Sequence, residues 1–141
     1  MSNPGPARTT TIHPSNLASN QAIRLLGVAT GVNVNGTGDQ AVIAINNSTN
    51  YSVSNVVFTN ASISLTTAAA GVFTAPSAGG TAIVANAALS ALTGSTVVSQ
   101  RTVASTATQS AQNLYVNVGT AQGAAATMDV YVYGYDFSTY S

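Results

Sequence analysis

The side chains that could take part in acid–base catalysis are few in this chain. His13, Asp39, Asp129 and Asp136 are the candidates. Such catalysis needs a titratable group within reach of a substrate, often in a pair whose pKa values differ. Asp129 and Asp136 are seven positions apart, so on a regular strand they point to opposite faces. His13 lies in a proline-bearing stretch and Asp39 in a glycine-rich turn. We therefore expect that the protein is not an enzyme.

Other common site chemistries lack their residue types or spacing. The chain has no cysteine, which excludes thiolate catalysis, disulfides and cysteine-based metal sites. One histidine and three aspartates are too few for a typical zinc site, and no Gly-x-Ser-x-Gly elbow occurs. Gly36-Thr37-Gly38 lacks the lysine of a phosphate loop, so a turn is favoured. A calcium site at Asp39 stays open, but the Asp-rich loop pattern is missing. We expect no metal and no cofactor.

The chain carries very little charge. Its 141 residues include three arginines, three aspartates and no lysine or glutamate, whereas ordinary domains are roughly a quarter charged. Three scattered arginines do not form the basic patch that nucleic acid or an anionic membrane requires, so we expect neither partner. A surface of small polar residues is covered at low desolvation cost, which favours a protein that works in an assembly. A secreted domain with a polar surface is the alternative.

The N-terminal residues 1–21 are polar and lack hydrophobic periodicity. They include Pro4, Pro6, Arg8 and His13, and they lack the apolar segment of a signal peptide, so synthesis in the cytoplasm is expected. Such a stretch cannot bury enough apolar surface to fold alone. It is either a disordered tail or an arm that lies along a neighbouring subunit. In the second case these four residues become candidate interface residues.

The clearest elements that could position a site lie in Asn113–Phe137. Aliphatic side chains alternate there in two segments, at Leu114, Val116 and Val118 and again at Met128, Val130 and Val132. Strict alternation indicates two strands, each with two different faces, and we expect the two strands to pair with each other. The second strand carries Tyr131, Tyr133 and Tyr135 opposite its aliphatic face. The tyrosines either pack against a second sheet, form a subunit interface, or stack on sugars or bases. We expect Val130 and Val132 to face the core and Tyr131 and Tyr133 to lie on the opposite side.

The rest of the chain is mainly of β character. Strands are predicted in Ile23–Asn35, Gln40–Ile45, Tyr51–Thr59, Ala61–Thr66 and Thr96–Ser105. The turn Asn35–Asp39 predicts a hairpin between the first two, and Gly27 and Gly31 predict a bend or bulge. Ala68–Gly80 resembles a linker loop. Thr81–Leu92 is rich in alanine with apolar residues at helical spacing, which predicts one short helix.

These elements predict an all-β fold. We expect an antiparallel β-sandwich of jelly-roll type in residues 22–141, with one short Ala-rich helix and an extended N-terminal arm in residues 1–21. A trimeric β-prism or a simpler barrel is the alternative.

A resemblance adds a functional class. The chain resembles small structural proteins of tailed bacteriophages and prophages in the local sequence and the order of three segments. These are VVFTNASISLTTAAAGVFTAPSAGG, TAIVANAALSAL and LYVNVGTAQGAAATMDVYVYGYDF. The resemblance covers Val56–Phe137. Such proteins include capsid decoration (cement) proteins, several with jelly-roll folds, which bridge major capsid proteins. It implies a non-enzymatic virion protein on the capsid exterior, with the major capsid protein and itself (as homodimer or homotrimer) as partners. A tail or head-fibre subunit or adhesin, or a non-catalytic carbohydrate-binding module, is the alternative.

Overall fold

The computed structural model describes residues 22–138. These residues contain eight strands and no helix, which confirms the all-β prediction. The strands are β1 Arg24–Asn33, β2 Gly38–Ala44, β3 Tyr51–Thr59, β4 Ala69–Ala75, β5 Gly79–Ala88, β6 Val98–Arg101, β7 Asn113–Thr120 and β8 Thr127–Asp136. The predicted N-terminal arm, with Pro4, Pro6, Arg8 and His13, lies outside the described residues.

The strands form two antiparallel four-stranded sheets. The first sheet has the order β1-β8-β3-β6 and the second the order β2-β7-β4-β5. Most consecutive strands therefore lie in different sheets, and β4 and β5 alone pair with their sequence neighbour. The predicted hairpin of β1 and β2 is wrong, because β1 pairs with β8 and β2 with β7. Each crossing places a strand's aliphatic face on the core that both sheets share.

The aliphatic faces of both sheets meet in one hydrophobic core. Val130 and Val132 from β8 and Leu114 and Val116 from β7 are all fully buried, as their alternation predicts. Burying one such side chain contributes about 1.5–3 kcal/mol relative to leaving it in water. The core thus fixes which face of β8 is turned inward.

Three predicted elements are wrong. Thr81–Leu92 is not a helix: residues 79–88 form the edge strand β5, which pairs with β4. Ala68–Gly80 is not a linker loop, since β4 occupies an inner position of the second sheet. Ala61–Thr66 contains no strand and belongs to the connection between β3 and β4. Pairing between β4 and β5 buries Val72 and Val84, and this tertiary gain outweighs the helical preference of alanine.

The connections at one end of the sandwich converge on Gln122. This side chain is 9% exposed and lies in the connection between β7 and β8. Its Oε1 accepts hydrogen bonds from the backbone N–H groups of Thr67 and Ala68, each at 3.1 Å. Its Nε2 donates to the Ser64 carbonyl at 3.4 Å and to the Thr66 hydroxyl at 3.2 Å. One glutamine therefore holds two connections together.

Candidate interaction surface

The tyrosines of β8 lie on the outer face of the first sheet. Residues that pair directly across antiparallel strands share a face. Tyr133 pairs with Leu25 on β1 and Asn55 on β3, and Tyr131 pairs with Val28 and Val57 on the same two strands. The pairing of Val57 with Gln100 and of Thr59 with Val98 extends this face onto β6. We call the surface formed by Leu25, Val28, Val57, Val98, Tyr131, Tyr133 and Tyr135 the tyrosine face.

The tyrosine face is only partly covered within the chain. All three tyrosines are half-buried, and Leu25 and Val98 are 37% and 55% exposed. The predicted side for Val130, Val132, Tyr131 and Tyr133 is confirmed, so the interpretation of the tyrosines as packing against the second sheet is wrong. Val130 and Val132 face the core that the two sheets share. A subunit interface and stacking on a ligand are the interpretations that remain.

The centre of the tyrosine face carries no charge among the residues described. The nearest carboxylate on this side of β8 is Asp129, near the start of the strand. Its Oδ1 accepts from the Gly31 backbone N–H at 2.8 Å, and its Oδ2 accepts from the Asn60 amide at 3.0 Å. Gly31 has φ 63°, and the pairing of β1 with β8 is shifted beside it, which confirms the predicted bulge. Because Asp129 already has partners within the chain, covering the face strips water from few ionic groups.

The outer face of the second sheet is different. It exposes Val42, which pairs with the half-buried Tyr115, but a polar network lies beside them. Asp39 accepts from the Asn117 amide at 2.8 Å and from the Ser77 backbone N–H at 2.8 Å. Asp39, at the start of β2, therefore links this strand to β7 and to the turn between β4 and β5. The second sheet offers one outward tyrosine where the first offers three.

The remaining aspartate forms an internal ion pair. Nη2 of Arg24 lies 3.4 Å from Oδ2 of Asp136, whose side chain is 5% exposed. Asp136 also accepts from the Ser48 hydroxyl at 2.8 Å and from the Ser138 backbone N–H at 2.9 Å. This pair joins β1 to the end of β8. As predicted, Asp129 and Asp136 lie on opposite faces, so they cannot act as a catalytic pair. Residues 22–138 hold no group of three or more His, Cys, Asp or Glu side chains suited to a metal ion.

The aliphatic members of the tyrosine face were not identified from sequence. A signal existed in β1, where Leu25 and Leu26 are adjacent and must point to opposite faces. A strand with apolar residues on both faces is typical of one that is covered on both sides. Val57 and Val98 each follow another valine in the same way, at Val56 and Val97. Their place beside the tyrosines could still not be predicted, because it depends on the strand order.

Comparisons of the chain with protein-family models, with curated proteins and with solved structures found no match. None of the residues that the structure describes forms a helix of the length and hydrophobicity needed to cross a membrane.

Proposed function

We propose that this chain is a non-enzymatic structural protein of a tailed-bacteriophage virion. It decorates the capsid exterior, bridges major capsid protein subunits and acts as a homodimer or homotrimer, after synthesis in the host cytoplasm. The observation that carries the proposal is the tyrosine face, an uncharged aromatic and aliphatic surface on the outside of a sheet. The resemblance of Val56–Phe137 to phage structural proteins supplies the functional class.

The strand order supports the jelly-roll assignment that belongs to this proposal. A jelly roll has eight strands in two sheets, built from two Greek keys. The orders β1-β8-β3-β6 and β2-β7-β4-β5, with most connections crossing between sheets, fit that description. Jelly rolls are frequent in viral capsid and lectin domains, which agrees with a virion protein but also with an adhesin.

The physical properties of the tyrosine face suit binding to a symmetric shell. Tyrosine is enriched in interfaces because its ring buries apolar area while its hydroxyl reaches a hydrogen-bond partner. Among the described residues, no hydrogen bond occupies the hydroxyls of Tyr131, Tyr133 or Tyr135. A neighbouring subunit can supply those partners. Many modest contacts repeated over a shell give strong overall attachment through multivalency.

The test is binding to virions of the phage that carries this gene, prepared without the protein. The double variant Tyr131→Thr/Tyr133→Thr removes the two rings and keeps residues that favour a strand. We expect its affinity to fall at least about tenfold, which corresponds to about 1.4 kcal/mol. Tyr115→Thr is the matched control, because Tyr115 is also half-buried but lies on the second sheet. It should bind as the unmodified protein does, and circular dichroism should show both variants folded.

Two results would contradict the proposal. One is a double variant that binds virions as tightly as the control. The other is a virion that lacks the protein and yet keeps full thermal and osmotic resistance. Binding confined to the tail or to a glycan would instead favour the fibre or adhesin alternative, in which the outward tyrosines stack on sugar rings.

A further inference from the structure

A cavity lies along one open side of the sandwich. Each sheet ends here, the first with β6 and the second with β5. The cavity has a volume of about 270 Å³, and its lining includes Val84, Ala87, Gln100, Arg101 and Thr102. Arg101 is the one charged residue in this lining. A cation therefore lines a mostly neutral cavity between two sheet edges.

The guanidinium of Arg101 is held in place but is not neutralised. Its central carbon lies 5.5 Å from the ring centroid of Phe58. Nη2 donates to the Ala88 carbonyl at 3.1 Å, and Nη1 makes a long contact of 3.5 Å to the Ser99 hydroxyl. Nε is buried and has no hydrogen-bond partner. Burial lowers the pKa of Arg101, because the charged form loses hydration.

No aspartate among the described residues compensates this charge. Asp136 pairs with Arg24, while Asp39 and Asp129 each accept two hydrogen bonds elsewhere in the fold. A partly buried cation without a counter-ion is costly, and one unpaired N–H adds to that cost. The contrast with Arg24 is direct, since both arginines lie in strands of the first sheet. An anion in the cavity would supply the counter-charge that the guanidinium lacks within the fold.

We propose that the cavity beside Arg101 binds a carboxylate group. A guanidinium carries five N–H donors, and its planar fork forms two parallel hydrogen bonds to a carboxylate. The volume of about 270 Å³ is many times the roughly 10–15 Å³ that one water molecule needs on the same measure, so a small carboxylate has room. Gln100 and Thr102 add hydrogen-bonding groups to the lining. The carboxylate comes either from a small solute or from an Asp or Glu side chain of a neighbouring protein.

The low arginine content makes a direct test practical. With three arginines, the ¹⁵N-labelled chain gives at most three Nε–H signals in a heteronuclear NMR spectrum. Arg101→Lys assigns the signal of Arg101 by its loss, and Arg24→Lys identifies the signal of Arg24 even if the first variant does not fold. The full chain is titrated with sodium acetate and, separately, with sodium chloride at matched ionic strength. We expect acetate to shift the Arg101 signal to a plateau while the Arg24 signal stays in place.

A second titration distinguishes the source of the carboxylate. Aspartate blocked at both ends as amides presents the carboxylate as a protein side chain does. Binding about tenfold tighter than acetate would assign the site to a neighbouring protein, and equal binding would assign it to a small solute. An Arg101 signal that acetate does not move, or that chloride moves equally, would overturn the proposal. Neither result bears on the tyrosine face, so this site is tested independently of the proposed function.

Discussion

Removing the Gln122 side chain tests how the connections at one end of the sandwich are held. Gln122→Ala deletes four hydrogen bonds at once, two accepted by Oε1 and two donated by Nε2. These bonds reach residues 64–68, the connection that leads into β4. No other side chain among the described residues forms hydrogen bonds with both the Thr67 and the Ala68 N–H groups.

The expected loss of stability follows from how buried each partner is. Ala68 is 1% exposed, so its N–H loses its partner where water has little access, which costs about 1–3 kcal/mol. Thr66 and Thr67 are exposed, and water replaces their bonds at small cost. The buried methylene removed from residue 122 adds about 0.8 kcal/mol. We therefore expect the free energy of unfolding to fall by about 2–4 kcal/mol.

Urea denaturation followed by far-UV circular dichroism measures this loss. With a denaturant slope of about 2 kcal/mol per molar urea, the midpoint should fall by about 1–2 M while the slope stays unchanged. Gln112→Ala is the matched control, because Gln112 is exposed and its amide makes one local bond to the Ser110 carbonyl at 3.1 Å. That control should stay within about 0.5 kcal/mol of the unmodified protein. If both variants shifted the midpoint equally, the role assigned to Gln122 would be refuted.

Two further predictions concern stability. Burial raises the pKa of Tyr51 from 10.0 to about 12, so the folded state holds this proton more tightly than the unfolded state does. The resulting stability is complete below pH 10 and is lost as the pH rises towards 12. The loss amounts to about 2–3 kcal/mol. Tyr51→Phe should remove that dependence in unfolding measured across alkaline pH, and equal slopes in both proteins would count against it. Gly134→Ala should destabilise by about 1–3 kcal/mol, because the added Cβ would lie 2.1 Å from the Ser52 carbonyl oxygen, a backbone atom. Gly94→Ala, whose Cβ meets nothing closer than 4.0 Å, should melt as the unmodified protein does in calorimetry, and equal melting of the two alanine variants would contradict the assigned contact.

The strands with two distinct faces could be predicted from sequence. The boundaries predicted for the third strand agree with β3, Tyr51–Thr59, and the alternation in β8 identified its core face. Such patterns are local, because each residue's side is set by its parity along the strand. Where valine alternates with polar or aromatic residues along a strand, the sequence alone predicts which face is buried in the core.

The elements built from small residues could not be predicted in the same way. In β4, a Cβ at Gly71 would lie 2.5 Å from the Val84 carbonyl oxygen, so close approach of β5 requires glycine there. The turn between β4 and β5 places Ser77 and Ala78 at φ 58° and 57°, a conformation usually signalled by Asn-Gly. The alanines of β5 favour a helix when the chain is considered alone. Contacts with β4 decide otherwise, and no local pattern reports them.

The pairing of the strands could not be predicted from the sequence either. Arg24 on β1 pairs with Gly134 on β8, and nothing in either local pattern indicates this partner. The prediction that β7 and β8 are paired with each other is wrong for the same reason: β7 joins β2 and β4, whereas β8 joins β1 and β3. The tyrosine face was therefore predicted as one strand's row of tyrosines. Its extent over β1, β3 and β6 required the fold.

The most direct test of the central proposal is electron cryomicroscopy of the virions in which the proposal places this protein. We predict density for a two-sheet domain on the capsid exterior, with Tyr131 and Tyr133 in contact with the major capsid protein or with a second copy of this chain. Density found in the tail alone, or a bound domain whose tyrosine face is open to solvent, would contradict the proposal.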